Sequence, residues 1–229
     1  MYNEIVLICF YAFILLYSVI IHEVSHGIAA LWLGDNTAKY AGRLTANPFK
    51  HLDFFGSFLT PLFMYLSFGF AFGWAKPVPY NPYNLKNQKW GPALVALAGP
   101  MSNLLIALIA AIVARSIGLP LQLEKDIINN FNEWSGVSTI IAGSIGSIFY
   151  ELLMMMVIIN VFLAFFNLIP IPPLDGSKLL FTLFPIKIET QAVLEQFGFI
   201  FLLFFIFFFS SPLTLFLGRA LNAFLRIAI

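Results

Sequence analysis

The sequence is 229 residues long, 60% hydrophobic and only 10% charged, with a formal net charge of +1. A soluble domain of this length would carry roughly 25% charged residues. The composition therefore excludes a soluble globular domain, and the single cysteine, Cys9, excludes a disulfide framework and a thiolate metal site. The sequence has no run of Lys or Arg residues, so we expect no nucleic-acid partner.

The apolar stretches are long and continuous, which predicts an all-α polytopic membrane protein with about four to six membrane helices. We expect one integral membrane domain over residues 1–229, in contact with the lipid bilayer. Its core spans are predicted at about residues 5–33, 90–114 and 148–170. The second of these is rich in Gly and Ala in its first half, which is typical of membrane helices that approach one another closely.

Three further segments lie between or after the core spans. The polar piece after the first span is expected to form a short membrane-associated β hairpin near residues 38–46. Residues 54–72 are apolar but are interrupted by Thr60-Pro61, which favours a re-entrant segment over a complete span. Residues 197–217 form an additional apolar segment, broken by a Ser-Ser-Pro sequence.

Ionisable side chains interrupt the first span at VIIHEVSHGIAALW, residues 19–32. His22 and His26 are four residues apart, so on a helix their directions differ by only about 40°. The pattern H-E-x-x-H is typical of two zinc ligands with the intervening Glu23 as general base. Such residues are rare inside membrane spans and mark functional sites there. The alternative is a pair of histidines that hydrogen-bond to neighbouring helices.

A catalytic zinc takes three protein ligands and a water, so a third ligand is expected elsewhere in the chain. Asp175 is the strongest candidate because it directly follows a predicted span, after prolines that stop the helix and before a glycine that permits a turn. His51 and Asp53 are alternatives, either as a ligand or as residues that orient one. An ordinary Asp-Gly turn is the alternative for Asp175.

Three motifs in this order resemble the site-2 protease family of intramembrane zinc metalloproteases, peptidase family M50. The first is HEVSHG, and the second is LAGPMSNLL at residues 97–105, which matches a G-x-x-x-N pattern with Gly99 and Asn103. The third is NLIPIPPLDGSKLL at residues 167–180, which matches N-x-x-P-x-P-x-L-D-G in full. The pieces NPFKHLDFFGS and FGWAKPVPYNP resemble a compact branch of the family without a PDZ or CBS domain.

The resemblance implies an enzyme that cleaves transmembrane segments of membrane proteins. It implies Zn²⁺ bound by His22, His26 and Asp175, with Glu23 as the base. Asn103 and Asn167 are expected to orient a ligand or hold the substrate, with hydrogen bonding between helices as the alternative for each.

A substrate helix must be unwound locally before it is cleaved, because its carbonyls are bonded within the helix. We expect residues 38–45 or the extended PIPP segment to pair with the opened substrate as an added strand. The alternative function is a zinc or other metal-ion transporter in which His22, His26 and Asp175 bind the passing ion. The sequence names neither the substrate nor the oligomeric state.

The two halves of the predicted site also constrain the topology. Both lie near the C-terminal ends of their spans, so those spans run in the same direction with an odd number of crossings between them. Eight basic residues fall in loops on the metal side, and four fall on the other side. By the positive-inside rule we expect the metal site toward the cytoplasmic side of a prokaryotic plasma membrane. The eight are Lys39, Arg43, Lys50, Lys76, Lys86, Lys89, Lys178 and Lys187, and the four are Arg115, Lys125, Arg219 and Arg226.

Overall fold

The computed structural model describes residues 2–69, 73, 75–129, 145–184 and 186–229. Over these ranges the regular structure is entirely helical, as predicted, and contains no strand. The α-helices are α1 (Tyr2–Trp32), α2 (Thr37–Tyr40), α3 (Thr60–Phe68), α4 (Gly91–Ile117), α5 (Leu121–Asn129), α6 (Ile145–Asn167), α7 (Gly176–Leu183), α8 (Ile188–Gln196), α9 (Gly198–Phe208) and α10 (Ser210–Ala228). A π-helical turn at Phe55–Leu59 precedes α3, and short 3₁₀ turns lie at Pro48–Lys50 and Pro82–Asn84.

Three of the described helices are long and apolar enough to cross a membrane: Ile8–Trp32 of α1, and the whole of α4 and α6. They lie over the segments predicted as core spans. Helices α8 and α9 add a fourth span only if this pair, which is bent by 61°, is counted as one. The predicted number of four to six membrane helices is therefore not supported.

Helix ends inside two apolar segments explain why the number of membrane spans predicted from hydropathy is too high. The apolar helix Phe55–Ser67 has 13 residues and is about 20 Å long, which is shorter than a hydrocarbon core of about 30 Å. It ends at Gly69, whose φ of 77° stops a right-handed helix. The segment at 197–217 is divided between α9 and α10. Apolar runs at both places thus lack the uninterrupted length of a simple span.

The β hairpin expected near residues 38–46 is wrong. Residues Thr37–Tyr40 form one helical turn, and the N–H groups of Tyr40, Ala41, Gly42 and Arg43 all donate to carbonyls three to five residues earlier. The buried Asp35 carboxylate supports this turn by accepting from the backbone N–H of Thr37 at 3.1 Å. Local hydrogen bonds have therefore used the donors that a strand ladder would need.

Helix α4 packs against both α1 and α6 and runs antiparallel to them. Its early residue Val95 contacts His26 of α1, whereas its later residue Asn103 contacts the earlier Ser18. Asn160 of α6 also contacts Ser18, and Asp175 beyond α6 contacts His26. The C-terminal ends of α1 and α6 therefore lie at the same end of the bundle. Many outward side chains of these helices are large and apolar, as a lipid-facing surface requires.

Candidate metal centre

The two halves of the sequence pattern meet at one point. The Oδ2 atom of Asp175 lies 3.0 Å from Nε2 of His22 and 3.3 Å from Nε2 of His26. The two Nε2 atoms are 3.1 Å apart. Over the described part of the chain, these three residues are the one group of three or more His, Cys, Asp or Glu side chains placed to hold a metal ion. The structure therefore brings together all three predicted ligands across about 150 residues of chain.

Hydrogen bonds on the far side of each imidazole determine which nitrogen faces this point. Nδ1 of His26 lies 2.7 Å from the carbonyl oxygen of Val95, which can only accept, so Nδ1 carries the proton. Nδ1 of His22 lies 2.6 Å from Oδ1 of Asn103, which is likewise an acceptor. In its neutral form each ring therefore presents an unprotonated Nε2 to Asp175, which is the tautomer that a metal-binding histidine needs.

This arrangement places three acceptor atoms within 3.0–3.3 Å of one another. Oδ2 of Asp175 is buried and has no hydrogen-bond donor. A single added proton could join only one pair of the three atoms, whereas a cation between them would satisfy all three. Ligands at about 2.0–2.1 Å from a tetrahedral zinc would lie about 3.3 Å from each other, close to the observed separations. The donor set and its spacing thus fit Zn²⁺.

Gly99 of α4 gives the two imidazoles their space. A Cβ atom at this position would lie 2.4 Å from Nε2 of His26 and 2.7 Å from Cε1 of His22. Real Cβ atoms essentially never make contacts under 3.0 Å, and both neighbours are ring atoms with little freedom to move. The first residue of the G-x-x-x-N pattern therefore makes room for the two imidazoles, while its last residue, Asn103, bonds to the ring of His22.

Glu23 is held by a backbone segment that crosses the metal end of α1. We call residues 75–81 the strap. The backbone N–H of Val78 donates to Oε2 of Glu23 at 2.8 Å. Gly27 permits this approach, since a Cβ there would lie 2.8 Å from Cγ1 of Val78 and 2.6 Å from Cδ2 of Leu44. The glycine that follows HEVSH therefore allows the strap to lie close to α1.

Three further contacts hold the ends of the strap. At its start, the N–H of Lys76 donates to the carbonyl of His51 at 2.8 Å, and the Lys76 carbonyl accepts from Arg43 at 2.7 Å. At its end, the N–H of Asn81 donates to Oδ2 of Asp35 at 2.8 Å. Asp35 is fully buried and also accepts from Thr37 and Asn84. The two ends of the strap are thus joined to the loops that follow α1.

The other residues singled out from the sequence lie outside the group of three ligands. The ring of His51 is buried and bonds to the Thr45 carbonyl at 2.8 Å. The carboxylate of Asp53 accepts from the N–H of Gly56 at 2.7 Å, before the π-helical turn. The amide of Asn167 donates to the Leu163 carbonyl at 2.8 Å, within α6. In this arrangement all three have structural partners.

Sequence reasoning missed Asn160. Its amide is fully buried in α6 and bonds to Asn103, so it belongs to the polar group behind His22. The available signal was an asparagine in the middle of an apolar span, which is costly there and marks a candidate for function.

The fold and the site together define a polytopic membrane protein whose candidate metal ligands come from one helix and from the loop after another. The chain matches the family model described as Peptidase family M50 over residues 10–205. It therefore belongs to peptidase family M50, which confirms the resemblance to the site-2 protease family.

Two relatives extend this comparison. The chain is 34% identical over 208 residues to "Putative zinc metalloprotease YwhC" of Bacillus subtilis, covering 87% of this chain and 81% of that protein. It is 27% identical over 188 residues to "Putative zinc metalloprotease Rip2" of Mycolicibacterium smegmatis, covering 81% of this chain and 61% of that protein. No solved structure matches the chain at a significant level.

Proposed function

We propose that this protein is an intramembrane zinc metalloprotease that cleaves transmembrane segments of other membrane proteins. The observation that carries the proposal is the convergence of Nε2 of His22, Nε2 of His26 and Oδ2 of Asp175 within 3.0–3.3 Å of one another. Family membership and the names of both relatives support a zinc-dependent peptidase.

The depth of the site supports a substrate within the membrane. His22 lies 14 residues after Ile8, the first residue of the apolar part of α1, which corresponds to about 21 Å along the helix. In a hydrocarbon core of about 30 Å, a catalytic group at this depth reaches a bond inside the membrane, toward one face. We propose that the substrate is a membrane helix, opened locally so that its carbonyls become accessible.

Each residue of the site has a role in this reaction. His22, His26 and Asp175 would hold Zn²⁺, which polarises the scissile carbonyl and acidifies a water molecule when bound. Glu23 would accept a proton from that water as its oxygen attacks the carbonyl carbon, and would then deliver the proton to the amide nitrogen as the C–N bond breaks. The Val78 N–H bond to Oε2 would fix the plane of the Glu23 carboxylate and leave Oε1 to carry the proton.

The packing of the opposite end of the bundle weighs against the transporter alternative. An ion pathway needs polar groups through the whole bilayer. Among the described residues at this end Glu151 and Ser147 of α6 are buried, but α4 and α6 close on each other there mainly through apolar side chains. These are Ala107, Ala110, Ala111 and Ala114 of α4 with Tyr150, Met154, Val157 and Val161 of α6. We therefore favour hydrolysis at a fixed metal over ion transport.

The decisive experiment substitutes Glu23→Gln in purified protein that has been reconstituted with single-span candidate substrates. The glutamine variant should retain zinc at the wild-type stoichiometry and lose cleavage, by at least the roughly hundredfold that a general base supplies. Glu189→Gln is the matched control, because Glu189 is an exposed carboxylate on α8 and should be neutral in both measurements. The proposal would be overturned if the Glu23→Gln variant cleaved substrate as fast as wild type. It would also be overturned if the purified wild-type protein contained no zinc.

A further inference from the structure

Asn160 connects the three long helices at one buried point. It lies in the interior of α6 and is fully buried. Its Nδ2 donates to the Met156 carbonyl and to Oγ of Ser18, each at 2.9 Å. Its Oδ1 accepts from Nδ2 of Asn103 at 2.7 Å. One amide thus bonds to its own helix, to α1 and to α4, about two helical turns before the end of α6.

The carbonyl acceptors in this group fix the direction of every hydrogen bond. The Met156 carbonyl can only accept, so Nδ2 of Asn160 must face it and Oδ1 must face Asn103. Nδ2 of Asn103 therefore points to Asn160, and it also donates to the carbonyl of Ser18 at 3.2 Å. Oδ1 of Asn103 is then the atom left for Nδ1 of His22.

From this directed chain of bonds we infer that Asn160 is a positioning residue that sets the tautomer of His22 through Asn103. The inference rests on the proposed function, in which His22 is a zinc ligand. If the Asn103 amide turned over, its NH₂ group would face Nδ1 of His22 and would favour the ring proton on Nε2, the ligand atom. Oδ1 of Asn160 opposes this together with the Ser18 carbonyl, because both accept from Nδ2 of Asn103 on the other side.

The two histidines differ in the kind of acceptor that fixes the tautomer of the ring. His26 is fixed by a backbone carbonyl, that of Val95, which cannot turn over. His22 is fixed by a side-chain amide, which has two nearly isosteric orientations with opposite polarity. Only the His22 side of the centre therefore needs further acceptors to choose the orientation of an amide, and these are the Ser18 carbonyl at 3.2 Å and the closer Oδ1 of Asn160 at 2.7 Å.

Zinc affinity of the purified full chain, measured by competition with a chelator, tests the inference. Residues that orient a metal ligand typically contribute about tenfold to hundredfold in affinity. We expect Asn103→Leu to weaken zinc binding within this range and Asn160→Leu to weaken it by about tenfold. Because Asn160 acts through Asn103, the double variant should bind zinc no more weakly than Asn103→Leu alone. A double variant weaker than Asn103→Leu by the full Asn160→Leu factor would overturn the inference.

The conservative variant Asn160→Asp separates positioning from simple tethering of the helices. A protonated carboxyl keeps an acceptor for Asn103 and donates one bond to the Met156 carbonyl, but it loses the second donor of the amide. Positioning predicts zinc affinity within about threefold of wild type, whereas tethering through both donors predicts a loss like that of Asn160→Leu. Should the leucine variant fail to fold, Asn160→Ala replaces it in the same comparison.

Val157→Ala provides the control for lost packing, since Val157 is fully buried one turn away on α6 and belongs to the apolar cluster between α4 and α6. It should lower the unfolding temperature of the zinc-free protein without changing zinc affinity. An Asn160→Leu variant that behaves like Val157→Ala in both measurements would refute the inference. If neither the wild-type protein nor the Val157→Ala variant bound zinc, the proposed function would be refuted instead. Failure of the inference about Asn160 and failure of the proposed function therefore give different results.

Discussion

The two ends of the helical bundle are held together by different interactions. At the metal end, α1, α4 and α6 are joined by hydrogen bonds among His22, Asn103, Asn160 and Ser18, and loops fold over the site. At the opposite end, small side chains of α4 allow α6 and the end of α10 to pack closely through apolar contacts. One helix, α4, supplies small residues to both ends. Small size makes room for imidazole rings at Gly99 and allows close helix packing at Ala111.

This difference implies that metal binding and fold stability can be changed separately by enlarging a small residue of α4. A larger side chain at the metal end should displace a ligand while the apolar end continues to hold the helices. A larger side chain at the apolar end should reduce stability while the ligand geometry survives. The same kind of substitution therefore gives opposite results at two positions about three turns apart.

Gly99→Ala should have the largest effect. The new Cβ would lie 2.4 Å from Nε2 of His26, a ligand atom, so the ring must move or the helices must separate. We expect zinc affinity to fall by about a hundredfold and cleavage to be lost, as for other disturbances of ligand geometry. Chelator competition and a cleavage assay measure both.

Gly218→Ala is the matched control for this substitution. Gly218 lies within α10, and a Cβ there meets no atom within 4 Å. In a helix interior the change from Gly to Ala stabilises by roughly 0.5–1 kcal/mol, so this variant should bind zinc normally and unfold at the same or a slightly higher temperature. If Gly99→Ala binds zinc as tightly as Gly218→Ala, the space beside the imidazoles is not required for the site.

Ala111→Leu should have the next largest effect, on stability alone. Ala111 is fully buried against α6, so three added carbon atoms would overpack the helix contact and cost about 1–3 kcal/mol. Denaturant unfolding in detergent measures the loss, and zinc affinity of the folded fraction should match wild type. A loss of zinc affinity comparable to that of Gly99→Ala would show that the two ends of the bundle are coupled and cannot be changed separately.

The sequence predicts the parts of the site that depend on side-chain chemistry and local periodicity. His22 and His26 share a helix face in any α-helix, and Asp175 follows a span that must end near the same depth. The helical class and the positions of three long helices follow from apolar run length alone. These features need no knowledge of tertiary contacts, which is why composition and spacing suffice.

Features that depend on contacts between distant segments could not be predicted in the same way. Residues 38–46 have strand-like composition, yet the buried Asp35 and local hydrogen bonds stabilise a helical turn there. The small size of Gly99 suggested helix packing, and only the positions of both imidazoles show what it accommodates. Asn160 shares no sequence motif with Asn103, and their partnership arises from the antiparallel packing of α4 against α6.

Asp35→Asn should have a local effect that is confined to the loops of the metal end. The carboxylate accepts from Thr37 and Asn84 through Oδ1 and from Asn81 through Oδ2. An asparagine keeps one oxygen and turns an NH₂ group toward the remaining donors, which leaves at least one buried donor unpaired at a cost of about 1–3 kcal/mol. Thermal unfolding measures this loss, and zinc affinity should change less than in Gly99→Ala, because none of the three ligands contacts Asp35.

The difference in stability between wild type and Asp35→Asn should depend on pH, and this dependence provides the sharper measurement. Burial favours the protonated form of Asp35, but the hydrogen bonds from Thr37, Asn84 and Asn81 outweigh it and lower the pKa below its ordinary value of 3.8. Because the folded-state pKa is the lower one, the carboxylate contributes its full stabilisation above about pH 4 and loses it as the pH falls through the folded-state pKa. The stability gap between wild type and Asp35→Asn should therefore be constant from pH 7 to about pH 5 and should narrow below about pH 4. A gap that widens on acidification would mean that the loop carboxylate is not stabilised in its charged form, and that the strap is held in some other way.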